Sequence, residues 1–138
     1  MTMLDPGKGA AFTALGELAK AAEENSSLSS GLRELIKLRC SQLNGCEYCV
    51  RLHSAHREEA PELFDNLPEW RTHPAFTERE RAALALAETV TLVHTGQVSR
   101  SLLEAAMREF GEAGTRELLW IAIVINSYNR LAISTRFA

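Results

Sequence analysis

Residues 115–134, TRELLWIAIVINSYNRLAIS, are the most apolar stretch of the chain and set the strongest limit on its fold. WIAIVI is β-branched enough to suit a strand. However, the polar NSYNR continues it, and no other segment alternates apolar and polar residues as a partner strand would. The stretch is therefore expected to be the central helix of an all-α core.

Punctuation elsewhere is also helical. Asp5-Pro6 offers a cap with proline at the first helical position, ahead of the alanine-rich GKGAAFTALGELAKAAEEN. NSSLSSG (25–31) is a break of small polar residues, with Ser30 or Gly31 as cap for LRELIKLRCSQL. Leu32, Leu35, Ile36, Cys40 and Leu43 give that helix one apolar stripe, and Asn44-Gly45 ends it. A helix is expected from Cys46 to about Glu59, followed by a long connection over 61–76 holding Pro61, Pro68, Pro74 and Trp70. Thr77 to Glu80 reads as a capping box, HTGQVS as a turn, and Ser101 to Glu104 as a second capping box for a helix that Gly111 closes. The expectation is a single domain over 1–138, a bundle of about six helices with its core motif at 30–60.

Composition narrows the function. With 46% hydrophobic and 24% charged residues, the chain reads as globular, and a net charge of −3 offers no basic footprint for nucleic acid. No apolar run approaches the roughly 18 residues that span a bilayer, and MTMLDPGKGA lacks a secretory layout. The expected setting is cytoplasmic and reducing, with neither membrane nor nucleic acid as partner. There, three cysteines speak for redox or metal chemistry rather than a disulfide framework.

All three lie in RCSQLNGCEYCVRLHSAH (39–56), with His53 and His56. On a helix Cys49 falls about 300° and His53 about 340° round from Cys46, so the three share a face. Cys49 and His53 are an i, i+4 pair. Asn44-Gly45 places Cys46 in the first turn, where unpaired amides and the helix dipole favour a thiolate, and an imidazole can take the proton of Cys49. Cys40 belongs to the apolar stripe and reads as a buried free thiol. Zinc is the competing use of Cys40, Cys46, Cys49 and His53, but three ligands on one rigid helical face surround an ion poorly. Neither a metal nor a cofactor is therefore expected.

Other candidates are weaker. Locally, Glu34 is a first-turn glutamate three residues from Lys37. Asn126, Asn129 and Arg130 form a polar set in the last helix that either lines the active-site pocket or contacts the Glu34 region, or else closes a buried network or subunit contact; the last reading is favoured. Trp70 and Trp120 read as packing or interface residues, and His73 and His94 as surface or turn residues. His56 reads as solvated.

Glu34, Cys46-x-x-Cys49-x-x-x-His53 and the preceding LRELIKLRCSQLNGC resemble the core of the alkylhydroperoxidase D-like family, within the carboxymuconolactone decarboxylase superfamily. WRTHPAFTERERAALALAETVT (70–91) and INSYNRLAIS (125–134) extend the likeness. The resemblance implies an all-helical subunit of a homotrimer or homohexamer. It also implies a peroxidase whose two cysteines reduce a hydroperoxide and end as a disulfide, with Glu34 and His53 relaying protons. The decarboxylase branch lacks the C-x-x-C, which favours redox chemistry here. The implied partners are a hydroperoxide and a dithiol reductant, for which family members can draw on a lipoylated protein. Tyr48 departs from the pattern, standing where the family's best-studied peroxidase has a histidine, and a phenol is a poor base at neutral pH. Cys49 is the expected attacking thiolate and Cys46 the partner that closes the disulfide; the reverse order is the alternative. A thiol–disulfide oxidoreductase with weak peroxidase activity and a non-enzymatic zinc-binding or redox-sensing oligomer are the rival functions.

Overall fold

The computed structural model describes residues 3–138. Six α-helices follow one another: α1 Ala10–Glu23, α2 Ser30–Asn44, α3 Glu47–Ser54, α4 Pro61–Asp65, α5 Glu78–Thr91 and α6 Arg100–Ser134. Single 3₁₀ turns lie at Arg57–Glu59, Leu67–Glu69 and Val93–Thr95, and no strand occurs among the described residues. The architecture is the expected all-α one, with corrections at several ends.

Most of those corrections are one or two residues wide. The cap of α2 is Ser29, whose hydroxyl accepts from the Leu32 amide at 3.2 Å, rather than Ser30 or Gly31. Asp5 does not cap α1; its carboxylate accepts from the Gly7 amide at 2.8 Å in a local turn, and α1 starts after Gly9. For α6 the cap is Ser99 (Leu102 amide, 3.1 Å), while Glu104 pairs with Arg100 at 3.1 Å instead of closing a box with Ser101. Thr77 and Glu80 do form the capping box of α5. Gly111, at φ 71° and ψ 176°, breaks α6 where a helix end was expected, but the chain resumes helical geometry at once. The C-x-x-C helix stops at Ser54, short of Glu59, and the 61–76 connection contains α4.

Helix α2 is buried on two sides, and this decides where the site can be. Leu32, Ile36 and Cys40 pack with Ala83, Leu86 and Ala87 of α5 and with Leu118, Ile121, Ala122 and Ile125 of α6. Leu35 and Leu38 pack into a second cluster with Phe64, Leu67, Trp70, Phe76 and Leu84. The expected single stripe is thus split between two cores, and α2 and α5, rather than the last helix, are the elements both share. A side chain on α2 that faces neither cluster has a rigid base.

Where α2 meets α6, the polar set of the last helix is part of a buried amide network. Asn44 Nδ2 donates to Asn126 Oδ1 and Asn129 Oδ1, both at 2.9 Å, and Asn129 Nδ2 donates to Ser41 Oγ at 3.0 Å. Asn126 Nδ2 donates to Thr91 Oγ1 at 3.0 Å, and Arg130 caps Asn126 Oδ1 at 2.8 Å. Asn129 is fully buried, so Asn129→Ala removes one of the two partners of the Ser41 and Asn44 side chains and leaves a void. The expected cost is about 2–4 kcal/mol in urea unfolding at neutral pH. A loss under about 0.5 kcal/mol, the range of a neutral surface change, would contradict a structural role for the network.

Candidate active site

The dithiol sits at the corner between α2 and α3, and the corner is written locally. Gly45 adopts the left-handed conformation (φ 70°, ψ 31°), and the Gly45 and Cys46 amides return to the Gln42 and Ser41 carbonyls at 3.2 and 3.0 Å. Asparagine-glycine supplies such a C-cap cheaply. The chain then enters α3 with Cys46 itself as N-cap, its sulfur accepting from the Cys49 amide at 3.4 Å. Cys46 and Cys49 are joined as a disulfide with Cα atoms 5.3 Å apart. Both are buried, packed with Ala132, Tyr48 and Phe137.

One helical turn on from Cys49, His53 reaches back to α2. Its Nδ1 lies 2.7 Å from Glu34 Oε2, and both side chains are largely buried. Lys37 Nζ is 3.1 Å from Glu34 Oε1 and also pairs with Glu23 of α1, which Arg33 contacts at 2.7 Å. Burial works to raise the Glu34 carboxyl, but the His53 hydrogen bond and the Lys37 charge outweigh it and hold the pKa down at about 2. Glu34 is therefore ionised at neutral pH. A carboxylate only accepts, so Nδ1 of a neutral His53 carries the proton and Nε2 keeps the lone pair.

Cys49 and His53 line an apolar cavity of about 500 Å³ between α1, α3 and α6. Phe12, Leu52, Val124 and Tyr128 are among its walls, and Asp5, Glu23 and Lys37 are its charged lining. Phe12 and Tyr128 meet edge-to-face at 6.1 Å across the α1–α6 seam. The arrangement gives a sulfur centre, an imidazole fixed by a carboxylate and an apolar chamber reaching both.

Cys46, Cys49, His53 and Glu34 are thus gathered in one place. Tyr48 lines the cavity with its ring edge-to-face on Phe137 at 4.7 Å. Asn126, Asn129 and Arg130 lie in the amide network and are not among the cavity walls. Cys40 is buried and free, receives the Thr91 hydroxyl at 3.2 Å, and burial pushes its thiol up to about 11, which makes it inert. Trp70 is buried, donating to Glu88 at 3.0 Å, and Trp120 is exposed. Among the described residues, no three His, Cys, Asp or Glu side chains are arranged to hold a metal ion, and no helix is long and apolar enough to cross a membrane.

Sequence reasoning missed three groups here. Lys37 was noticed only as a helical neighbour of Glu34. Glu23 comes from another helix and carries no local signal. His56 is exposed, as expected, but its Nε2 lies 3.7 Å from Glu34 and its Nδ1 3.0 Å from Glu59; its i+3 spacing from His53 was the available clue.

Fold and site together define an all-helical protein with a C-x-x-C disulfide beside a carboxylate–imidazole pair. Residues 8–89 match the carboxymuconolactone decarboxylase family, and the chain belongs to that family. An uncharacterized protein of Bacillus subtilis, YdfG, is 32% identical over 114 residues, covering 80% of this chain and 78% of its own. The crystal structure of a protein of unknown function from Agrobacterium tumefaciens, proposed as the antioxidant defence protein AhpD, superposes with a TM-score of 0.92. It is 26% identical and covers 100% of this chain and 97% of its own. An uncharacterized peroxidase-related protein from Silicibacter has the same fold, with a TM-score of 0.81 at 24% identity over 92% of this chain and 69% of its own. The expected alkylhydroperoxidase D-like relationship is borne out.

Proposed function

We propose that the chain is a thiol-dependent peroxidase that reduces organic hydroperoxides through a Cys46/Cys49 dithiol–disulfide cycle. The observation that carries this reading is the 2.7 Å Glu34–His53 contact, one helical turn from a cysteine that shares an apolar cavity with the imidazole. In the reduced protein His53 takes the proton of Cys49. The thiolate attacks the terminal peroxide oxygen, the O–O bond breaks, and the departing alkoxide receives that proton as an alcohol. Cys49 becomes a sulfenic acid. The Cys46 thiolate then attacks Cys49, hydroxide leaves as water, and the disulfide forms. A dithiol reductant returns two electrons and two protons. The cavity walls suit a hydroperoxide with an apolar body.

The reading includes a cytoplasmic setting, a lipoylated protein as a candidate donor, and a homo-oligomer; exposed Trp120 and Ile123 on α6 support the last. The deciding assay follows cumene hydroperoxide consumption with dihydrolipoamide as donor. Turnover above the uncatalysed rate supports the proposal, and its absence at any enzyme concentration refutes it. Tyr48, a phenol where the family's best-studied peroxidase has a histidine, favours one second reading, a thiol–disulfide oxidoreductase. Insulin reduction that outpaces peroxide consumption would select it.

A further inference from the structure

A second pocket, of about 360 Å³, adjoins the dithiol and has no part in the chemistry so far described. Cys46 lines this pocket and not the apolar cavity, whereas Cys49 lines the cavity and not this pocket. Tyr48, Ala132 and Phe137 line both and form the partition between them, with the Tyr48 and Phe137 rings 4.7 Å apart. The two linings differ in chemistry. The cavity is walled mainly by hydrocarbon, with Asp5, Glu23, Lys37 and His53 among its residues, while the charged side chains of the second pocket are Arg51, Arg136 and Glu47. The disulfide is embedded in the wall between an apolar and a polar compartment.

We infer that the second pocket is the reductant's port, where a dithiol on a slender chain presents its thiolate to Cys46, separately from the peroxide's cavity. The inference rests on the dithiol cycle proposed above. Thiol–disulfide exchange requires the attacking thiolate to approach along the S–S axis, from the side away from the leaving sulfur. A nucleophile arriving through the second pocket comes from the side that Cys46 lines and Cys49 does not. Among the lining side chains the Arg51 and Arg136 guanidinium groups outnumber the single Glu47 carboxylate, a balance that favours an anionic attacker. The volume admits a chain bearing two thiols but not a folded domain, so a protein donor would reach in with an arm.

The step balances. The reductant's first thiolate bonds to Cys46 Sγ and breaks the Cys46–Cys49 bond, and Cys49 leaves as a thiolate beside His53. The reductant's second thiol, on deprotonation, attacks the first at the mixed disulfide, releases Cys46 as a thiolate and closes a cyclic disulfide. The reductant loses two electrons and two protons, and the protein gains them. The peroxide side is left clear for the next substrate.

Measuring the two half-reactions separately tests this. Ile133 and Leu52 are partly exposed residues lining the second pocket and the cavity respectively, so a tryptophan at either fits the fold. Protein oxidised with diamide and mixed with dihydrolipoamide reports reduction. Reduced protein mixed with cumene hydroperoxide and quenched reports oxidation by thiol count. Ile133→Trp is expected to slow reduction about fivefold or more while oxidation stays within about twofold, and Leu52→Trp to do the reverse. Arg51→Glu with Arg136→Glu is expected to slow reduction in low salt, with the difference shrinking as salt rises. Equal effects of Ile133→Trp on both half-reactions, or no effect on reduction, overturns the inference. If wild-type protein is not oxidised by hydroperoxide, the peroxidase reading fails, and the reduction arm still decides the port.

Discussion

Replacing Cys49 by serine is expected to abolish hydroperoxide turnover, lowering it by on the order of a thousandfold or more. A serine hydroxyl is not appreciably ionised at neutral pH and cannot form the sulfenic acid, so neither the attack nor the later disulfide has a substitute. Cys46→Ser should behave differently. It keeps Cys49, His53 and Glu34 in place, so it should consume one equivalent of hydroperoxide and then stop with a sulfenic acid that dimedone traps on Cys49. Both cysteines are buried in the same small cluster, and serine is nearly isosteric with cysteine, so circular dichroism should show both variants folded. Steady-state peroxide consumption and mass spectrometry of the trapped adduct separate the outcomes. An adduct confined to Cys46 in the Cys49→Ser protein, with turnover surviving there, reverses the order of attack. Equal rates in wild type and Cys49→Ser refute cysteine-based turnover altogether.

The parts of this site that were legible in the sequence are those with local causes. Asn44-Gly45 announced a helix end, and the left-handed Gly45 provides it. The spacing of Cys46, Cys49 and His53 announced a shared face, because helical periodicity alone sets it. Glu34 was different: local rules made it a dipole-favouring first-turn residue, and only the family likeness singled it out. Its partner His53 lies 19 residues away, across a corner whose angle no window of sequence encodes. The same holds for Glu23, which reaches Lys37 because α1 packs along α6 and closes the cavity. Among caps, Ser99 and Ser101 are two serines equally able to accept from a helix amide. The extended backbone at Ser99 (φ −71°, ψ 154°) decides between them. The fold class survived these errors because helix ends can slide by a residue or two without changing which faces are apolar.

Glu34→Gln is the second test with a large expected effect. Glutamine still accepts a hydrogen bond from His53 Nδ1, so the imidazole keeps its orientation but loses the negative charge that stabilises its protonated form. Turnover should fall by about a hundredfold, the scale on which a positioned acid–base group contributes; Glu34→Ala should fall further, since orientation goes too. The same variant carries a stability signature whose sign is fixed. The Glu34 carboxyl is lowered in the folded protein from 4.5 to about 2, so its contribution is fully present above about pH 4.5. That contribution is lost as the pH falls through 2, because the unfolded chain binds the proton first. The shift corresponds to at most about 3 kcal/mol, and Glu34 is buried enough to retain most of it. Urea unfolding at pH 7 and near pH 3 should therefore show wild type more stable than Glu34→Gln at the higher pH, with the gap narrowing at the lower. A gap that stays constant across that range would mean that Glu34 is not held ionised by His53 and Lys37. The charge relay would then have to be withdrawn even if the cysteines turn over peroxide.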